Sequence, residues 1–206
     1  MSLVLPSNRY ELQHGSAVGK RVCGIDEAGR GPLAGPVIAA AVVLDWAQVP
    51  EGLADSKKLA EAARAELREA LEISAEIGIG LASVEEINRL NILGATLLAM
   101  RRAVEDLPTL PDFALVDGNQ MPDLPCSAAT IVKGDQKSLS VAAASIIAKE
   151  TRDAMMRRLA NEFPGYAWER NKGYGTKAHM EGLGKFGVTR HHRRFFAPVA
   201  ALLEGK

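Results

Sequence analysis

The sequence predicts an α/β protein: a mixed five-stranded sheet flanked by helices, with a helical C-terminal region. Three observations carry this reading. Strand-like apolar runs come first, at 22–26, 36–44 and 74–81. Helix-like and strand-like segments then alternate, and from Pro164 the chain becomes basic, glycine-containing and helical only in pieces. Early strands with a tight link favour antiparallel pairing, whereas strand–helix–strand order favours parallel addition. At 206 residues with 47% apolar content, residues 1–206 suit one domain, with 165–206 packed on it as a basic helical region.

The elements follow in order. The run 22–26 is a short apolar strand that ends in Asp26-Glu27. Segment 36–44, PVIAAAVVL, is apolar throughout and reads as a strand buried on both faces. The link Gly29-Arg30-Gly31-Pro32-Leu33-Ala34-Gly35 suits a tight connection between neighbours. Segment 57–72 is rich in Ala, Leu, Glu and Arg and reads as a helix. Segment 74–81 alternates toward a third strand, weakened by Gly78 and Gly80.

Ser83 with Glu86 three residues later has the form of a capping box. It opens a helical region to about 106, which Asn88, Asn91 and Gly94 break and Pro108 and Pro111 close. Phe113 to Asp117 is a fourth strand ending in an acid, and 127–132 a fifth, followed by Lys133-Gly134-Asp135. A long helical pattern fills 136–163, Ala-rich at 141–148 and so able to sit close against the sheet. Asp135 or Ser138 is placed to cap it.

Charge is balanced overall, with 25 basic and 25 acidic residues, so the chain-wide sum attracts no polyanion. Its distribution is uneven. Arg170, Lys172, Lys177, Lys185, Arg190, Arg193 and Arg194 crowd the stretch between Gly165 and Phe195, where only Glu169 and Glu181 oppose them. Backbone phosphates respond to such local charge. Cys23 and Cys126 make no disulfide framework or zinc cluster, and both read as buried, inert residues. No apolar run is long enough to cross a membrane, and 1–19 lacks a signal-peptide core, so a soluble cytoplasmic protein is expected.

Three strands ending in acids, at Asp26-Glu27, Asp117 and just before Asp135, define the candidate chemistry. Converging carboxylates make an all-oxygen site for Mg²⁺ or Mn²⁺. Such a site can hold two ions, roughly 4 Å apart, on either side of a scissile phosphate. Asp26 is the natural bridging ligand. Glu27 is harder to place, because neighbours in a strand point to opposite faces. The glycines of Gly29-Arg30-Gly31 admit close backbone approach, and Arg30 suits phosphate. Each feature also has a plainer reading: Asp117-Gly118-Asn119 as a turn, Asp135 as a helix cap, the glycine loop as a chain reversal.

The segments Gly24-Ile25-Asp26-Glu27-Ala28-Gly29-Arg30-Gly31-Pro32-Leu33-Ala34-Gly35-Pro36-Val37, Asp55-Ser56-Lys57-Lys58-Leu59 and Lys133-Gly134-Asp135 resemble bacterial ribonuclease HII. So do Ala142 to Lys149 with Thr151-Arg152-Asp153, Gly173-Tyr174-Gly175-Thr176 with His179, and the ending His192-Arg193-Arg194 with Phe196-Ala197-Pro198-Val199. The resemblance implies a ribonuclease H-like fold and a metal-dependent endonuclease for RNA–DNA hybrids and for ribonucleotides embedded in duplex DNA. Cutting on the 5′ side of the ribonucleotide would leave 3′-hydroxyl and 5′-phosphate ends. It puts the catalytic, metal-binding acids on Asp26, Glu27, Asp117 and Asp135, with two Mn²⁺ or Mg²⁺ ions. It puts junction sensing on Gly29, Arg30, Gly31 and Tyr174.

Lys57 and Lys177 are the expected phosphate contacts. His191 and His192 read as surface or phosphate-facing. Glu150 stands where an apolar or small residue is expected and reads as a harmless departure on a helix. A monomer without a clamp-binding tail is expected, and Arg30 in the loop separates the pattern from ribonuclease HIII.

Overall fold

In a computed structural model of the chain, residues 5–204 are described. The elements run α1 (Arg9–Gln13), β1 (Val22–Ala28), β2 (Val37–Leu44), α2 (Glu61–Ser74), β3 (Ala75–Ala82), α3 (Val84–Glu105), β4 (Phe113–Asp117) and β5 (Ser127–Ile131). Then follow α4 (Leu139–Glu162), α5 (Trp168–Asn171), α6 (Lys177–Phe186) and α7 (Ala197–Glu204).

The sheet order is β3-β2-β1-β4-β5. The first three strands pair antiparallel, and β4 and β5 add in parallel beside β1. This is the mixed five-stranded sheet expected from the order and length of the links. Strand alternation divides the core between the two faces. Cys23, Ile25, Ala39, Ala41 and Val116 pack toward Ala99 and Ala103 of α3. Ile38, Ala40 and Val42 pack toward Ala143, Ala144 and Ile147 of α4. At Gly24 helix α4 comes so near that an added Cβ would stand 2.1 Å from the Ser140 carbonyl carbon. The small residues at 141–148 therefore do set the helix tightly on the sheet.

Local signals settle the helix ends. Ser83 and Glu86 form both halves of the capping box at the start of α3. Asn91 breaks that helix, at φ 60° and ψ 175°, and its Oδ1 accepts from the Leu93 and Gly94 amides to start the second half. Helix α4 starts later than expected, at Leu139, because residues 134–136 form a 3₁₀ turn. Ser138 caps it, accepting from the Val141 amide at 3.2 Å. Helix α2 also starts late, since Asp55 caps a 3₁₀ turn at residues 56–58.

The N-terminal segment is tied down by Glu11, wholly buried. Its Oε1 accepts from Ser138 Oγ, the Ser140 amide and Ser140 Oγ. A carboxylate there also meets the positive end of the α4 dipole. The basic C-terminal region packs through Tyr166, Trp168, Leu183 and Val199 against Leu33, Ala34 and Met156. Among the described residues no helix is long and apolar enough to cross a membrane.

Candidate active site

Parallel register brings the acids together. Ile25 lies beside Val116, so Asp26 and Asp117 follow side by side at the ends of β1 and β4. Asp117 in turn lies beside Ile131, the last residue of β5. The Gly134 amide donates to Asp117 Oδ1 at 2.6 Å and draws the turn carrying Asp135 against β4. Asp26 and Asp135 are only 7% and 6% exposed.

Their electrostatics follow from that burial. Desolvation, then the charges of Glu27 and Asp117, push the Asp26 carboxyl well above the usual carboxylate range. Burial, then Asp55 and Asp117, push Asp135 up to about 6. Burial raises Glu27 against the pull of Arg30, whose Nη1 stands 3.2 Å from Glu27 Oε1. At Lys57 burial works downward, but the charges of Asp26, Asp135, Asp55 and Asp117 outweigh it and raise the ammonium. The acids are thus short of positive charge even with Lys57 beside them.

A buried, mutually repelling set of oxygen donors fits a hard divalent cation and gives soft metals no ligand. The acids form an open set: no three Asp, Glu, His or Cys side chains among the described residues are gathered into a ready metal cage.

A cleft of about 410 Å³ opens over Asp26 and is lined by Glu27, the 29–31 loop, Lys57 and Tyr174. Strand alternation would separate Asp26 from Glu27, yet at this strand end both line one cleft. Tyr174 is 48% exposed, and an added Cβ at Gly31 would touch its ring edge at 3.4 Å. Gly29 has φ +101°, and a Cβ there would stand 2.1 Å from Arg152 Nε. Lys177 does not join this group. It begins α6, exposed, with its ammonium 3.9 Å from Glu181.

Several organising residues escaped the sequence reading. Arg193, wholly buried, donates from Nε to the Gly35 carbonyl at 3.0 Å, from Nη1 to that of Arg30 at 2.9 Å, and from Nη2 to that of Gly29. Arg152, 1% exposed, donates to the carbonyls of Pro36, Ala34 and Lys172. Burial pulls both guanidiniums down, Arg193 to about 9 and Arg152 to about 10. A trans peptide sets its N–H opposite its C=O. With the Gly29 and Arg30 carbonyls turned in on Arg193, the Arg30 and Gly31 amides therefore point away from it.

The helical period held a signal for Arg152, which falls in register with Ala144, Ala148 and Met156 on the buried face of α4. No comparable pattern marks Arg193.

Three expectations need correction. Glu150 is more than a harmless departure on a helix: it is 6% exposed and pairs with Arg64 Nε at 2.7 Å. His192 is not on the surface, being 1% exposed in an aromatic cluster. Cys23 is buried as expected, whereas Cys126 is only half-buried.

The family model described as Ribonuclease HII matches residues 23–199. A Ribonuclease HII of Parvibaculum lavamentivorans is 54% identical over 97% of this chain and 74% of its own length. One of Granulibacter bethesdensis is 58% identical over 97% of this chain and 92% of its own. Among solved structures, the ribonuclease H2 of Pyrococcus horikoshii superposes with a TM-score of 0.75 at 26% identity, covering 90% of this chain and 98% of that one.

Proposed function

This chain belongs to the ribonuclease HII family, and from that membership we propose a divalent-metal-dependent nuclease that reads RNA–DNA junctions. The activity class comes with the family: it is a ribonuclease H, an endonuclease acting on RNA–DNA hybrids. The finer reading is that it also nicks duplex DNA on the 5′ side of an embedded ribonucleotide, leaving 3′-hydroxyl and 5′-phosphate ends. One observation carries it: carboxylates short of positive charge share a cleft with an amide-presenting glycine loop and a half-exposed tyrosine.

Asp26, Asp117, Asp135 and Glu27 would hold Mn²⁺ or Mg²⁺. Bound there, the ions would activate the attacking water and neutralise charge on the departing oxygen. The chain's own residues do the selecting. The 2′-hydroxyl, donor and acceptor at once, is what distinguishes RNA from DNA at one sugar. The Arg30 and Gly31 amides can reach it without reading a base. The Tyr174 ring, beside Gly31, can rest on the following sugar only where no 2′-hydroxyl stands in the way. Lys57 supplies positive charge toward phosphate, while Lys149, in the same cleft, is held by Asp153 at 2.8 Å.

The test is a labelled DNA duplex carrying one ribonucleotide, incubated with Mg²⁺ or Mn²⁺ beside an all-DNA control. A single nick 5′ to the ribonucleotide is expected, absent with EDTA and with Asp26→Asn, which should still bind the duplex. Folded native protein that binds the duplex and leaves it uncut would overturn the reading.

A further inference from the structure

Tyr174 is half-exposed, so packing alone does not fix its ring. What fixes the residue lies beneath it, in buried rings that the cleft chemistry leaves unused. Trp168 Nε1 lies 3.0 Å from His179 Nε2, and His179 Nδ1 lies 2.9 Å from the Tyr174 carbonyl oxygen. His179 Nε2 also stands 3.1 Å from His192 Nε2, and His192 Nδ1 lies 3.0 Å from the Thr189 amide nitrogen. Trp168 and His179 are wholly buried and His192 nearly so.

The groups at either end of this chain dictate every hydrogen. An indole N–H can only donate, so His179 Nε2 is bare and its hydrogen sits on Nδ1. There it meets the Tyr174 carbonyl, which can only accept. His192 Nε2 faces the bare nitrogen of His179 and therefore carries its own hydrogen. His192 Nδ1 is then bare and accepts from the Thr189 amide, which can only donate. The two imidazoles are neutral and opposite in tautomer. A proton added to His179 Nε2 would set donor against donor. One added to His192 Nδ1 would oppose the Thr189 amide, with only the Thr189 hydroxyl at 2.9 Å able to turn and accept it.

The chain of rings ends on the two segments that frame the cleft. His179 grips Tyr174. His192 adjoins Arg193, whose guanidinium holds the carbonyls of the 29–31 loop. The backbone closes the circuit: the Leu33 amide donates to Gly173 at 2.8 Å, and the Arg193 amide to Leu33 at 2.8 Å.

We propose that His179 and His192 are positioning residues: locked as opposite neutral tautomers, they fix the spacing between Tyr174 and the 29–31 loop. That spacing sets the register in which an RNA–DNA junction is read. The inference rests on the junction-reading role given above to the loop and Tyr174.

Two experiments test it. In ¹⁵N imidazole spectra of the native protein, His179 should show the Nδ1–H tautomer and His192 the Nε2–H tautomer, both neutral from about pH 6 to 8. The reverse tautomers, or a cation, in folded protein would overturn the wiring without any variant being made. In the nicking assay, His179→Leu should lower kcat on a single embedded ribonucleotide by about tenfold or more with KM little changed. Cutting of a continuous RNA strand should fall less. His179→Asn, whose amide can donate to the Tyr174 carbonyl from near the place of Nδ1, should recover most of the loss.

Combining His179→Leu with Tyr174→Ala should cost no more than Tyr174→Ala alone, and additive losses would mean that His179 does not act through Tyr174. A fully active Tyr174→Ala would remove the Tyr174 reading and this inference with it. An impaired Tyr174→Ala beside a fully active His179→Leu would sink this inference alone.

Discussion

Arg193 directs all its guanidinium bonds to backbone carbonyls, those of Gly29, Arg30, Gly35 and Pro36. A lysine in its place would keep the charge but lose the planar fork that spans these carbonyls. Arg193→Lys should therefore destabilise the chain by about 3 kcal/mol, the value of one or two lost charge-assisted bonds. It should also slow nicking at an embedded ribonucleotide as the loop amides lose their aim. Thermal melts and the single-ribonucleotide assay check this, and a variant equal to native in both would show the clamp to be idle. That the acids would gather was legible because each stands at or just after the end of a strand, and three such ends lie side by side in the sheet. Arg193 and His192 were not, because a basic run looks the same whether its members face water or carbonyls. Only the fold distinguishes the two.

At the level of elements, α2 and α4 meet through Arg64 and Glu150. Arg64 donates to Glu150 at 2.7 Å, to the Leu59 carbonyl at 2.7 Å and to that of Ser56 at 3.3 Å. Ser145 Oγ accepts the Ser56 amide at 3.2 Å. Together these hold the turn that presents Lys57 against α4. Glu150→Val would leave a buried guanidinium without its carboxylate and should cost about 3–5 kcal/mol. Adding Arg64→Leu should restore most of that, since an apolar pair can replace a buried ion pair, while the grip on the turn stays lost. Melting the native chain and both variants checks it: a Glu150→Val that melts with the native protein would refute the ion pair's importance. The break at Asn91 and the capping box at Ser83 were readable because capping acts over three or four residues. Glu150 was misread because its partner is 86 residues away. The mixed strand order was readable for a different reason, since link length limits which strands can pair antiparallel.

Across the whole molecule the charges cancel, yet the fold gathers unmatched acids at one end of three neighbouring strands. That arrangement makes stability depend on pH in a definite direction. Asp135 has its carboxyl raised from 3.8 to about 6, and Asp26 is raised well above 3.8. Between the ordinary and the raised values the folded chain binds more protons than the unfolded one, so this contribution falls as pH rises. Lys57 faces the acids with its ammonium raised and so stays charged throughout, Arg30 stands 3.2 Å from Glu27, and Asp55 adds repulsion on the Lys57 side.

Divalent ions bind only the deprotonated acids, so they should offset the loss where it is greatest. Without metal, the native chain should lose stability relative to Asp26→Asn as pH rises from about 4 to 7, the two melts diverging by several degrees. Mg²⁺ or Mn²⁺ should raise the native melt at pH 7, leave it unchanged near pH 4, and do little for Asp26→Asn. The difference between the two chains isolates the site from every other titrating group they share. A native melt that ignores divalent ions at pH 7, or tracks Asp26→Asn at every pH, would mean that the acids are stable neighbours needing no cation. Repulsion among the buried acids would then be the wrong account of this site.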